Sequence, residues 1–432
     1  MIETTHHCAI IVPSPTLRSM RSVELFSGGG GLALGLHKAG FHHEFMLEFV
    51  TSACNTLRHN VGRGAFFPST PDIHEVDIRD FSFPDSIGAI ELLAGGPPCQ
   101  PFSQGGKHRG PLDKRDMFPQ VRRFLSHYQP KAFILENVKG LTRPTFSLYV
   151  DFILLMLSMP EVEVDSTLPW EEQYLYLKKN QKSAGGLKYN IKTKLLNALH
   201  YGVPQSRERF FFVGIRSDIG IEYHFPQPTH SLDELLKQQL LTGQYWDERG
   251  ISPNQFDLDN LKSKGRRNLN KATNQQELIP LLPAVTMHDA LSDLPAISLD
   301  SRVDDPLQHL FKDGCRLYAG HSGSYIHLPS KTLKAGVHGV PGGENNVVFS
   351  DGTFRYLSVR EGARIQTFPD DYFFHGAWTV CFKQIGNGVP VNLANVMGKS
   401  VYSHIYKSSD ASPSVSKSIS SKHALSNQLS AA

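Results

Sequence analysis

The chain has 432 residues, 40% of them apolar and 20% charged, and a formal net charge of +3. Those figures describe ordinary globular protein with room for two or more domains, and they identify no partner. No apolar run approaches the roughly 20 residues that span a bilayer. Cys8, Cys54, Cys99, Cys315 and Cys381 form no CxxC pair and no disulfide framework, which points to a reducing, cytoplasmic home.

Residues 1–20 read as an N-terminal extension. Its apolar piece, Cys8 to Val12, lacks a basic segment before it and is interrupted by Pro13 and Pro15, so no signal peptide is expected. His6-His7-Cys8 has the residue types of a metal site but lies on this extension, and no metal is expected. Val23 to Phe26 then predicts a buried strand, and Leu32 to Ala39, closed by Gly40, a helix. Phe26-Ser27-Gly28-Gly29-Gly30-Gly31-Leu32 joins them. Glycine permits a tight turn and a close ligand approach, and the helix N-terminus offers free N–H groups. Phe45 to Leu47 reads as a second strand and Thr51 to His59 as a helix. Glu48 ends that strand about twenty residues beyond the glycines, where an acid can grip ribose hydroxyls. Asp77, before Ile78, could meet an adenine amino group. For each acid, a solvated strand-end carboxylate is the alternative.

Ile90 to Ala94 predicts a buried strand leading into Gly95-Gly96-Pro97-Pro98-Cys99-Gln100-Pro101-Phe102-Ser103. Ligands bind at that edge of an open α/β sheet. A stiff Gly/Pro loop there would hold one thiol towards a pocket, which suits a covalent nucleophile. A buried small hydrophobe is the alternative. A helix over Met117 to Tyr128 and a strand over Ala132 to Leu135 follow. Tyr189 to Leu195 and Arg209 to Ile215 read as a β hairpin. The alternation predicts an α/β domain over 21–217 built on a doubly wound, mostly parallel, Rossmann-like sheet.

Residues 218–354 lose periodicity and read as a smaller, loop-rich domain. Order returns over 355–406, with a final helix from Val391 to Tyr406, and 407–432 is a Ser-rich tail expected to be disordered. Two basic stretches stand out: Lys178 to Arg209, with eight Lys or Arg against Glu208, and Lys262 to Lys271. Either solvated faces or a phosphate-contacting surface accounts for them.

In their order, these pieces resemble the DNA (cytosine-5)-methyltransferase family of prokaryotic restriction–modification type, from Val23 to about Gly398. The Gly-rich loop with Phe26 is similar to the family's first cofactor motif, and Glu48 and Asp77-Ile78 to its second and third. Gly95 to Ser103 resembles the nucleophile loop and Glu136-Asn137-Val138 the Glu-Asn-Val motif. Gln205-Ser206-Arg207-Glu208-Arg209 resembles Gln-x-Arg-x-Arg, and Arg355 to Glu361 with Arg364, Gln366, Phe368 and Pro369 the scaffold before the last helix. Gly386-Asn387-Gly388-Val389-Pro390 resembles the motif that completes the S-adenosylmethionine pocket. Two departures are Val50, where the family often has an acid, and Glu24, where Asp is common.

The resemblance implies a DNA cytosine-5 methyltransferase on a S-adenosylmethionine-dependent methyltransferase fold with a target-recognition domain. Cys99 would add to carbon 6 of a flipped cytosine, Glu136 would donate to N3, Arg209 would hold O2 and Arg207 would support the nucleophile loop. Phe26, Ser27, Gly28, Gly30, Gly31, Leu32, Glu48, Asp77, Ile78, Pro98, Asn387 and Val389 would bind S-adenosylmethionine. Gln104 would fill the space left by the base, and Lys331, Thr332, Leu333 and Lys334 would contact DNA. The implied partners are double-stranded DNA and, functionally, a cognate restriction endonuclease. A monomer is expected, without a membrane. A tRNA methyltransferase, a non-catalytic nucleic-acid-binding scaffold and a nicotinamide-dependent oxidoreductase are the competing readings.

Overall fold

The apolar segments of the first half become the strands of one central sheet: β1 (Met20–Leu25), β2 (Phe41–Glu48), β3 (Asp72–Glu75), β4 (Leu92–Gly95), β5 (Ala132–Val138), β6 (Tyr189–Asn197) and β7 (Glu208–Arg216). Their order across the sheet is β3-β2-β1-β4-β5-β7-β6. The pairs among β1 to β5 are parallel, whereas β7 runs antiparallel to both β5 and β6. The computed structural model describes residues 19–67, 70–84, 87–98, 116–265, 280–297, 305–317, 322–335 and 345–410. Cys99, Gln104 and the loop to Arg115, the segment with His6-His7-Cys8, most of the second basic stretch and residues 411–432 of the Ser-rich tail lie outside those residues, whereas 407–410, expected to be disordered, continue the final helix.

Alternation along each strand divides the side chains between two apolar layers. Val23, Leu25, Phe45, Leu93, Phe133, Leu135 and Phe212 point to one face of the sheet, where α3 (Phe118–Tyr128) and α4 (Ser147–Ser158) cover them. Leu92, Ala94, Ala132, Ile134, Phe211 and Val213 face α1 (Gly31–Lys38) and the final helix, Val391–Asp410. That helix lays Leu393, Met397 and Val401 against Leu32 and Leu36 and so packs back onto α1.

Three differences from the sequence reading have physical reasons. β2 begins at Phe41, because His42 and Glu44 alternate with buried neighbours and so belong to the strand. β5 carries on through Glu136 and Asn137 because β7 pairs with it to Val138. β3 is a four-residue edge strand, Asp-Ile-His-Glu, with no apolar run to mark it.

Between β7 and Tyr356 the described strands have two or three residues and the described helices at most 11. Strand His230–Ser231 pairs with Leu282–Pro283, and Ser324–Tyr325, Asn346–Val348 and Phe354–Tyr356 form a three-stranded sheet. Helices Leu232–Lys237, Gln244–Arg249, Gln255–Gly265 and Met287–Leu291 pack around them. Their apolar residues, among them Leu235, Trp246 and Met287, join a cluster that also holds Leu34 of α1, Leu57 of α2 (Thr51–Gly62), Phe368 and Phe382. Among the described residues no helix is long and apolar enough to cross a membrane.

Candidate active site

Two groups of residues meet at the carboxyl edge of the parallel strands. The first surrounds the Gly-rich loop after β1. Phe26 there has a φ of 58°, rare for a bulky side chain, and Gly28 has a φ of 54°. The turn is stitched to the end of β2: the Ser27 N–H donates to the Leu47 carbonyl at 3.1 Å, and the Gly30 N–H to Ser27 at 3.0 Å. Glu48 completes the stitching. Its Oε2 accepts from the Gly28 N–H at 2.7 Å, and its Oε1 accepts from the N–H groups of Phe49 and Val50 at 2.8 Å each. A carboxylate has about four acceptor positions, so it can still take a hydroxyl donor.

The loop is open on one side. A Cβ placed on Gly28 would meet nothing within 4 Å among the described residues. No side chain caps α1, whose first turn carries no acid, so its dipole favours an anionic group there. Phe49 stands 70% exposed beside Glu48, a flat apolar face next to an acid. The sequence reading passed over it, although an aromatic directly after a strand-end acid is a visible signal. Val50, the departure from the family pattern, is the N-cap of α2 and gives it no side-chain bond. Ser27, Gly31 and Leu32 are buried, and Val389 packs in the same apolar layer as Leu32. Asn387, the last residue of helix Trp378–Asn387, is exposed. Asp77 is engaged by Arg79, whose backbone N–H and Nε donate to its Oδ1 at 3.0 and 2.9 Å; the guanidinium holds the carboxyl down to about 2. Ile78 is buried, with its carbonyl accepting from Arg123.

The second group lies where β4, β5 and β7 end. The described chain leaves β4 at Gly95 and runs through Pro97 to Pro98, the residue before Cys99. Asn137 of β5 donates from Nδ2 to the Pro97 carbonyl at 3.3 Å and pins this exit. Antiparallel pairing sets Glu136 across from Phe211 and Val138 across from Arg209, which puts Glu136 and Arg209 on one face as diagonal neighbours. Arg209 Nε lies 2.6 Å from Glu136 Oε1, with both side chains about nine-tenths buried. Burial pushes the Glu136 carboxyl above the usual carboxylate range, while the charges of Arg209 and then Arg207 pull against that rise.

Arg207 is fully buried. Its Nη2 donates to the carbonyls of Gly386 and Gly388 at 2.6 and 2.9 Å, and its Nη1 to the carbonyl of Leu333 at 3.3 Å. Gln205, also buried, accepts from the Leu333 N–H at 3.1 Å and donates to Gln366 Oε1 at 3.1 Å. Gln366 in turn donates to the Ile385 carbonyl at 2.5 Å. One tripeptide thereby joins three distant segments.

The segment expected to contact DNA is fastened to the same tripeptide. Ser206 N–H donates to Ser330, and Thr332 Oγ1 donates to Ser206, each at 2.8 Å. Lys331 Nζ reaches Ser322 Oγ at 3.3 Å, and Lys334 N–H donates to Asn345 Oδ1 at 2.8 Å. Leu333 differs from the expectation. Its side chain is 1% exposed and belongs to the core, because an apolar group gains more there than beside a charged duplex. Among the described residues no group of three His, Cys, Asp or Glu side chains is placed to hold a metal ion.

A family model described as C-5 cytosine-specific DNA methylase matches residues 20–164 and 171–403. The Type II methyltransferase M.NgoMIV of Neisseria gonorrhoeae is 31% identical over 389 residues, which cover 89% of this chain and 98% of that protein. The Type II methyltransferase M.Eco47II of Escherichia coli is 31% identical over 382 residues, or 88% of this chain and 78% of that one. A crystal structure of an E. coli prophage-encoded DNA modification methyltransferase superposes with a TM-score of 0.54 at 21% identity. The match covers 90% of this chain and all of that one, and at such identity it bears on the fold.

Proposed function

This chain belongs to the C-5 cytosine-specific DNA methylase family, and from that premise we propose that it methylates an extruded cytosine through a covalent Cys99 adduct, with S-adenosylmethionine as donor. The observation that carries the reading is the buried Glu136–Arg209 pair at the exit of β5. Burial raises the Glu136 carboxyl above the usual carboxylate range, which favours the protonated form that can donate a hydrogen bond.

Carbon 5 of cytosine is a weak nucleophile. When the Cys99 thiolate bonds to carbon 6, electrons move towards N3, where the Glu136 carboxyl donates. Arg209 holds O2 with a permanently charged, planar group. S-adenosylmethionine, when bound, supplies an electrophilic methyl group for carbon 5. A solvent-derived base then takes the carbon 5 proton; the released electron pair re-forms the 5,6 double bond and expels Cys99 as the thiolate. A base in a duplex cannot reach such a site, so it must be flipped out, with Gln104 filling the gap.

Glu48 and the loop from Phe26 through Leu32 hold the donor, with Asp77, Ile78, Pro98, Asn387 and Val389 completing its pocket. The space over Gly28 and the uncapped helix suit a methionine moiety, and exposed Phe49 suits an adenine face. Arg207 acts through position, by clamping the carbonyls around that pocket. Lys331, Thr332 and Lys334 meet the duplex, and buried Leu333 anchors them. The Type II relatives support a protective partnership with a cognate endonuclease, in which a monomer suffices because each strand needs one active site.

Bisulfite sequencing of DNA from a host expressing the protein should reveal methylated cytosines in one short sequence context. A duplex with 5-fluorocytosine at that position should trap a protein–DNA adduct, since fluorine cannot leave as the proton does. Turnover by Cys99→Ala would overturn the covalent route.

A further inference from the structure

We propose that Tyr372 is a positioning residue for the donor-binding loop: its hydroxyl holds the turn at Gly29-Gly30 in its binding geometry. The inference rests on the reading of that loop as the S-adenosylmethionine site. Tyr372 is fully buried, and its Oη donates to the Gly29 carbonyl at 2.9 Å. Gly30 has a φ of 85°, and a Cβ on it would fall 2.3 Å from that same Oη. The hydroxyl therefore sits directly beneath the turn, in space that only glycine leaves free.

The rest of the residue is arranged to keep that oxygen in place. Its ring packs among Phe66, Phe368 and Phe374, with centroids 5.2, 4.9 and 5.4 Å away. Its own carbonyl accepts from Arg360 Nη2 at 2.8 Å, and the same guanidinium donates to Leu307 and Pro369 at 2.9 Å each. The next residue, Phe373, exchanges two hydrogen bonds with Asn60 of α2, at 2.8 and 3.0 Å. A phenylalanine would satisfy this aromatic nest equally well. The hydroxyl has to justify its burial through its acceptor, and that acceptor is the loop.

Calorimetric titration of the full-length protein with S-adenosylhomocysteine tests the proposal. Tyr372→Phe keeps the ring and removes one donor to a buried carbonyl, so Kd should rise about fivefold to tenfold. KM for S-adenosylmethionine should rise in step while kcat changes by less than about twofold. Gly30→Ala should weaken binding severely in the wild type and less severely in the Tyr372→Phe background, where the struck oxygen is gone. Equal Kd for Tyr372→Phe and wild type overturns the inference. So does a weakened Kd that is matched by collapse of the ligand-free unfolding transition, which would mark a general packing role. If the wild type itself fails to bind the ligand, the reading of the loop fails instead.

Discussion

The sheet edge and the region after β7 solve the same problem by different means. Glu136 and Arg209 meet because two strands pair in a fixed register, so backbone hydrogen bonds set where the charges lie. In the later region, single side chains reach backbone carbonyls or one another, across sequence gaps from 7 to 88 residues. Trp246 Nε1 donates to Gln239, Gln239 Nε2 to His327, and Tyr245 Oη shares hydrogens with Thr286 and His327. The first arrangement tolerates change in its supports but not in its charges. The second spreads its dependence over many modest bonds. Function should therefore break sharply at the edge, and stability should erode gradually in the later region.

Glu136→Gln is the strongest test of that contrast, because it removes the proton donor and keeps the shape. It should lower kcat about 10²–10⁴-fold under saturating substrates. The pH profile sharpens the point. Burial raises the Glu136 pKa, so its protonated form survives to higher pH than an ordinary carboxyl, and activity that needs it falls as pH rises through the raised value. The Gln variant should lack this alkaline fall. Arg207→Ala comes next: it strips a charged donor from three carbonyls and should cost about 3 kcal/mol or more in urea unfolding. Arg207→Lys should restore little, since an ammonium lacks the planar fork. Phe49→Ala should weaken S-adenosylhomocysteine binding about tenfold, if stacking on an exposed ring is lost, with the unfolding midpoint unmoved. The smallest effect belongs to Tyr245→Phe, at about 1 kcal/mol of stability with kcat unchanged. A large loss of kcat in that last variant would erase the contrast.

Much of the first half was legible because its signals are local. β1, the glycines, the strand before Gly95 and the existence of the last helix all follow from apolar period and turn chemistry. The roles expected of Glu136 and Arg209 came through family resemblance, whereas their 2.6 Å contact follows from the antiparallel register of β7, which no local pattern encodes. Leu333 looked like part of a recognition segment and is core. Tyr372 drew no expectation from the sequence, and its hydroxyl donates to the loop 343 residues earlier.

By itself the sequence determined the kinds of element, the order of the motifs and the chemistry that its thiol, carboxyl and guanidinium groups can perform. Those properties reside in residue type and in periods of two or 3.6, which short stretches carry. Only the tertiary structure decided which carbonyls Arg207 would clamp, 126 to 181 residues away. Every residue has a carbonyl, so no side chain announces which of them folding will bring within reach of a buried donor.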